Sequence, residues 1–238
     1  METMTMSQCW RDLTDALSAG VNRILLYGPP GTGKTFAALR MGVTGVAERL
    51  VCTEDLTTAE ILGTWMPVGA GRWEWREGPA IRSWRHDGVG GRLVVDEVDR
   101  ASGDALSTLL AVTDSPDSAR WRNPETGAWV RPGADFSVVM TSNIETLSYI
   151  PDALRDRFPV AIRIDQPHPS AVAQLSADLR EPAIAASIAE PERRISLRSF
   201  YAFDQLRQRL GHERAATLLF GESKAQGFLD ALRVGALA

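Results

Sequence analysis

Gly28-Pro29-Pro30-Gly31-Thr32-Gly33-Lys34-Thr35 follows the apolar run Ile24-Leu25-Leu26-Tyr27 and precedes the helix-compatible segment Phe36-Ala37-Ala38-Leu39-Arg40. This is G-x-x-x-x-G-K-[ST] in a strand, loop, helix setting. The glycines let the backbone curl until successive N–H groups face inward, and the following helix aims its positive N-terminal end at the same point. A phosphate chain fits such a cradle. Lys34 is then placed to reach the β- and γ-phosphates, and the Thr35 hydroxyl to take a coordination position on Mg²⁺. The alternative, an ordinary Gly/Pro loop, leaves the strand and helix flanks unexplained.

The 238 residues, 44% hydrophobic and 24% charged, can build one sizeable globular domain or a domain with a small appendage. No apolar run approaches the roughly 18 residues of a membrane span. Met1 to Gln8 lacks the basic start and apolar centre of a signal peptide. Cytoplasmic residence without membrane association is the expectation. Cys9 and Cys52 have no metal-ligand or redox spacing and read as two reduced thiols, Cys52 in a buried strand, with a disulfide as the lesser alternative. A net charge of −4 gives no electrostatic reason to propose nucleic acid, although it leaves a local basic patch open. The chain has only two lysines, Lys34 and Lys224, which makes the one in the loop more telling.

Along the chain, Cys9 to Ala19 predicts a helix ending at Gly20, Ile24 to Tyr27 a strand, and the helix after the loop runs to about Gly45. Leu50-Val51-Cys52 reads as a short buried strand. Thr57 with Glu60 three residues on marks a capped helix start. That helix is interrupted by two strand-like runs, Thr64 to Val68 and Arg72 to Arg76, about a glycine turn. Pro79 to His86 resumes a helix, Leu93-Val94-Val95 is a strand ending in Asp96-Glu97, and Ser102 to Thr113 is a helix. A second hairpin centres on Asn123 to Gly127 between Trp121 and Trp129. Phe136 to Met140 is a strand running into Thr141-Ser142-Asn143, Pro151 to Arg157 a short helix, and Val160 to Ile164 the last strand. After Gln166 only helical patterns remain, so the expected domains are residues 1–165 and 166–238.

Strands alternating with helices imply a mostly parallel sheet covered on both faces, with ligands at the carboxyl ends of its strands. The loop, Asp96-Glu97 and Asn143 all lie at such ends. Removing a γ-phosphate from a nucleotide requires phosphate cradling, Mg²⁺, an oriented water and positive charge near the leaving group. Asp96 is placed to hold Mg²⁺ through its water shell, Glu97 to polarise the water, and Asn143 to bond water and γ-phosphate. In isolation, Asp96-Glu97 is also a plausible solvated strand end and Asn143 a plausible turn residue.

Gly28 to Thr35, Leu93 to Glu97, Thr141-Ser142-Asn143, Ala153-Leu154-Arg155-Asp156-Arg157-Phe158 and Ile195-Ser196-Leu197-Arg198 together resemble an AAA+ ATPase, in that family's order and over nearly the whole chain. The hairpin that breaks the second helix, with Asp96 to Ala101 and Asp156-Arg157-Phe158, is most similar to the MoxR branch. The resemblance implies a P-loop NTPase α/β domain and a small all-helical C-terminal lid. It implies Walker A at Gly28, Pro29, Pro30, Gly31, Thr32, Gly33, Lys34 and Thr35, and Walker B at Asp96 and Glu97. Asn143 then corresponds to sensor 1 and Arg198 to sensor 2. Between Arg155 and Arg157, two residues apart and facing different ways on a helix, the family pattern favours Arg157 as the arginine finger. For Arg198 a solvent-facing or helix-pairing arginine is the alternative.

Further implications of the resemblance are ATP as the nucleotide, assembly into a ring, most simply a hexamer, and remodelling or maturation of a protein client. A von Willebrand factor A-type partner in trans belongs to the same picture. The competing readings are a nucleic-acid-associated motor, McrB-like or phage DNA-handling, a phosphotransferase, and a nucleotide-gated scaffold without turnover. The hairpin residues Trp65, Trp73, Trp75, Trp121 and Trp129 are explained mostly by cross-strand packing, with a contact role open for Trp65 or Trp73. His86, His168 and His212 are too scattered for a metal site.

Overall fold

A computed structural model of the chain describes residues 6–235. By compactness it divides into two units, one of Asp12–Gly28 and Lys34–Arg163, the other of Pro29–Gly33, Ile164 onward and the N-terminal residues to Arg11. In chain order the elements begin with α1 (Gln8–Ser18), β1 (Arg23–Tyr27), α2 (Lys34–Arg40), β2 (Ala47–Val51) and α3 (Thr58–Leu62). They continue with β3 (Gly63–Gly69), β4 (Arg72–Glu77), α4 (Pro79–Arg85), β5 (Arg92–Asp96), α5 (Gly103–Val112), β6 (Trp121–Arg122) and β7 (Trp129–Val130). β8 (Ser137–Thr141), α6 (Asp152–Arg157) and β9 (Val160–Arg163) complete the strands. α7 (Pro169–Val172), α8 (Ala177–Ile188), α9 (Leu197–Leu210), α10 (His212–Phe220) and α11 (Glu222–Gly235) follow. No helix among the described residues is long and apolar enough to cross a membrane.

The sheet has five strands in the order β2-β5-β8-β1-β9, all parallel. β8, which runs into Asn143, lies between β1 and β5. β5 is buried at every position, as a strand must be when helices cover both faces. Leu93 and Val95 of this strand join Leu25, Trp84, Leu109, Met140 and Phe158 in one apolar cluster. The second cluster is built wholly from the helical C-terminal part, with Phe200, Phe203 and Phe228 at its centre.

α3 carries the expected capping box: the Thr57 hydroxyl accepts from the Glu60 N–H and the Glu60 carboxylate accepts from the Thr57 N–H. It stops at Gly63, whose φ is +130° and where a Cβ would lie 2.3 Å from the Arg76 carbonyl oxygen. Only glycine lets the chain leave the helix directly into the β3–β4 hairpin. Trp65 opposes Trp75 across that hairpin, and Trp75 also lies 5.7 Å from Trp121 of the β6–β7 hairpin. Trp65, Trp75 and Trp121 therefore pack on one another, whereas Trp73 is 59% exposed.

α2 ends at Arg40 rather than near Gly45. Gly42 takes a left-handed φ of +62°, and Arg92 from β5 caps the helix by donating to the carbonyls of Ala38, Met41 and Gly42. β2 begins three residues before the expected Leu50 and ends at Val51. Cys52, just beyond it, is fully buried, and Cys9 and Cys52 are both free thiols. Burial, together with Asp99, Asp96 and Glu97 nearby, pushes the Cys52 thiol up to about 12. It stays protonated at neutral pH.

Candidate nucleotide and hydrolysis site

The loop after β1 has glycines with positive φ at Gly28 (124°), Gly31 (80°) and Gly33 (103°). These conformations, costly for residues with a Cβ, curl the backbone. Within the loop the Thr32 hydroxyl donates to the Pro29 carbonyl at 3.1 Å. Gly31 lies against the start of α9: a Cβ there would sit 2.6 Å from Ser196 Cβ. Ser196 caps α9 by accepting from the Ser199 N–H. Arg198 follows two residues later in the first turn and is exposed.

Lys34 opens α2, is 5% exposed, and donates from Nζ to the Gly28 carbonyl at 2.8 Å. Thr35 comes next, and its hydroxyl donates to Asp96 Oδ1 at 2.9 Å. Asp96 ends β5 at 3% exposure. Thr141 Oγ1, from the end of β8, donates to the same oxygen, while Arg49 of β2 forks onto Oδ2 through Nε at 3.1 Å and through Nη2. Burial on its own raises a carboxyl pKa; here the bonds from Thr141, Arg49 and Thr35 outweigh it and hold Asp96 below the ordinary aspartate value. The group is an anion at neutral pH.

Glu97 leaves the strand in a left-handed conformation, φ 57° and ψ 46°. That turn sends its side chain away from the strand course, and it is an outlier of the kind that clusters at functional sites. Its N–H donates to Thr141 Oγ1 at 3.3 Å. Oε1 accepts from Asn143 Nδ2 at 3.4 Å, and Oε2 pairs with Arg100 at 3.0 Å. Ser142, between Thr141 and Asn143, donates to Asp99 at 2.6 Å, tying the end of β8 to the turn after β5.

Thr35, Asp96, Glu97 and Asn143 thus meet at one edge of the sheet. Arg157 does not join them. It donates to the Ala153 carbonyl at 2.9 Å and reaches Asp114 at 3.4 Å, and its Nε is buried with no partner among the described residues. Arg155 points outward and pairs with Asp152. Three residues at the edge escaped the sequence reading: Arg49, Arg100 and Thr141 in its role as donor to Asp96. Arg100 and Thr141 fall inside the quoted motifs, but nothing local to Arg49 signals its partner.

The donor set suits Mg²⁺: a hydroxyl and a carboxylate, hard oxygens both, of the kind that Mg²⁺ at nucleotide sites combines with water and phosphate oxygens. Among the described residues no group of three or more His, Cys, Asp or Glu forms a cage, and Mg²⁺ at nucleotide sites does not use one.

A comparison with curated proteins gives no match. Among solved structures, NtrX from Brucella abortus superposes with a TM-score of 0.57 at 18% identity, over 87% of this chain and 51% of that one. NtrX in complex with ATP superposes with a TM-score of 0.53 at 15% identity, over 99% and 69%. A Cytophaga hutchinsonii protein is 23% identical over 67% of this chain and 46% of its own, at a TM-score of 0.45, too loose a superposition to argue from. The chain thus spans about half the length of the Cytophaga hutchinsonii protein and of the first NtrX chain, and at these identities the likeness is one of fold. Residues 23–158, more than half of the chain, match the AAA domain of the dynein-related subfamily. The chain belongs to that AAA family.

Proposed function

We propose that this chain is an ATP-hydrolysing motor of the MoxR-like branch, working as a ring, most simply a hexamer, on a protein client, with a von Willebrand factor A-type partner in trans. The observation that carries the hydrolytic reading is the meeting of Thr35, Asp96, Glu97 and Asn143 at one sheet edge. The structure of NtrX with ATP, a relative in fold, supports ATP as the nucleotide. The hairpin at Gly63 supports the branch.

The Gly28–Thr35 loop binds the phosphates through backbone N–H groups, and Lys34 adds a positive charge at the β- and γ-phosphates. Thr35 and Asp96 hold Mg²⁺, which when bound neutralises charge on the phosphate oxygens. Glu97 accepts a hydrogen bond from the attacking water and turns its lone pair toward phosphorus. Asn143 touches Glu97 and fixes its carboxylate, and it is placed to donate to water or γ-phosphate. The family resemblance assigns Arg198 the role of sensor 2. Arg157 serves the site of a neighbouring subunit once released from Asp114, so turnover depends on assembly. Arg-finger effects are on the order of 10³-fold or more.

The test is Glu97→Gln. It keeps the hydrogen-bonding shape and removes the base, so the variant retains ATP and assembled rings while turnover is lost. Wild-type turnover in this variant would refute the role of Glu97. Mixing Lys34→Ala subunits with Arg157→Ala subunits restores part of the activity if Arg157 acts in trans; the same mixture made with Arg155→Ala tells the two arginines apart.

A further inference from the structure

Both carboxylate oxygens of the buried Asp96 are engaged, and one of them is held by a cation of the protein itself. Oδ1 takes the Thr35 and Thr141 hydroxyls, and Oδ2 takes the Arg49 fork. The fork comes from the neighbouring strand. In the parallel register Arg49 pairs with Val94 and Val51 with Asp96, so Arg49 stands on the sheet face that Val94 and Asp96 share, one diagonal step away. Packing does not demand an arginine at this position. β2 is an edge strand, the Arg49 side chain is 47% exposed, and among the described residues its side-chain hydrogen bonds go to Asp96. The nearest carboxylate on its own strand, Glu48, is engaged by Arg82 at 3.0 Å.

We propose that Arg49 is a positioning residue of the cation site, holding Oδ2 of Asp96 and weakening the protein's own affinity for the divalent cation, so that metal is taken up together with nucleotide rather than before it. This rests on the ATPase reading above. A carboxylate offers about four lone-pair directions, and two hydroxyls with a bidentate guanidinium fill them. A cation reaching Asp96 directly, or through a water, must displace the fork from Oδ2 or share the carboxylate charge with it. The guanidinium and a divalent cation on opposite sides of one carboxylate stand roughly 6 Å apart, where their repulsion, even screened as in water, is on the order of tenfold in a binding constant. Nucleotide phosphates bring several negative charges and their own oxygen ligands, which outweigh that repulsion. With half of its side chain in solvent, Arg49 can swing outward at little cost.

The experiment is a Mn²⁺ titration followed by electron paramagnetic resonance of the free ion. It is run with and without ADP on the wild type, Arg49→Gln and Arg49→Lys. Arg49→Gln keeps a donor for Oδ2 and removes the charge, so it binds Mn²⁺ roughly tenfold more tightly, with the larger gain in the absence of ADP. Arg49→Lys keeps the charge and stays near the wild type. Unchanged or weaker Mn²⁺ binding by Arg49→Gln, with normal ADP-dependent binding by the wild type, overturns this inference alone. Absence of ADP-dependent Mn²⁺ binding in the wild type overturns the ATPase reading and this inference together.

Discussion

Replacing Arg92 by methionine should loosen the helix that carries Lys34 and Thr35. Arg92 opens β5 at 5% exposure. Its guanidinium donates to the Ala38 carbonyl at 3.2 Å, to the Met41 carbonyl, to the Gly42 carbonyl at 3.0 Å and to the Ser137 hydroxyl at 3.3 Å. Burial pushes its pKa down, yet an arginine remains protonated at neutral pH. It is a fixed positive charge at the negative end of α2. That helix has seven residues, too few to persist without tertiary support. Methionine conserves most of the volume and leaves the carbonyls without their donor. The Gly42 carbonyl belongs to an exposed residue and can turn to water, whereas Ala38 is buried and Met41 half-buried. Two carbonyls at about 1–3 kcal/mol each, less partial relief by solvent, make the loss about 3 kcal/mol. For a chain of this size that is a fall in Tm of about 6–12 °C. Thermal unfolding followed by circular dichroism reads it directly. Arg92→Lys, which keeps the charge but not the fork, should fall by about half as much. A drop under about 2 °C for Arg92→Met would refute the view that this side chain secures the helix.

Asp96 adds a pH dependence. Its folded pKa lies below the unfolded value, so its stabilising contribution is complete above the unfolded carboxylate range near 4 and disappears as pH falls through the folded value. Asp96→Asn should flatten that part of the profile of Tm against pH, and parallel acid limbs for variant and wild type would contradict the assignment. Gly31→Ala forces a Cβ to 2.6 Å from Ser196 Cβ at a φ of +80°. It should cost about 1–2 kcal/mol from the backbone alone, with more from the clash. Adding Ser196→Gly, itself a loss of a few tenths at an N-cap, should recover the steric part; a double variant no more stable than Gly31→Ala would show that Ser196 is not the obstacle.

Much of the fold was legible because its signals are local. The strand, loop and helix around Gly28 to Thr35, the capping box at Thr57 and Glu60, and the two hairpins each depend on residues within one or two turns of chain. The bounds missed are those set at a distance. α2 stops early because Arg92, more than fifty residues on, takes its terminal carbonyls. β2 begins early because its partner in register is β5.

The candidate site divides in the same way. Glu97 and Asn143 could be placed at strand ends from the sequence, and the sheet order brings them into contact. Arg157 could be chosen only by family pattern, and its inward turn to Asp114 and Ala153 is a matter of how α6 packs.

The sequence by itself determined a phosphate loop, two carboxylates at the end of a buried strand and the order of elements that makes a five-stranded parallel sheet, since all of these are written in spacing and periodicity. Only the tertiary structure decided that Asp96 is gripped by Arg49 from the next strand and that Glu97 is held between Asn143 and Arg100. The reason is physical: parallel strands are joined by long crossovers, so strand order and register, and with them the charges that meet across the sheet, are settled when distant segments pack.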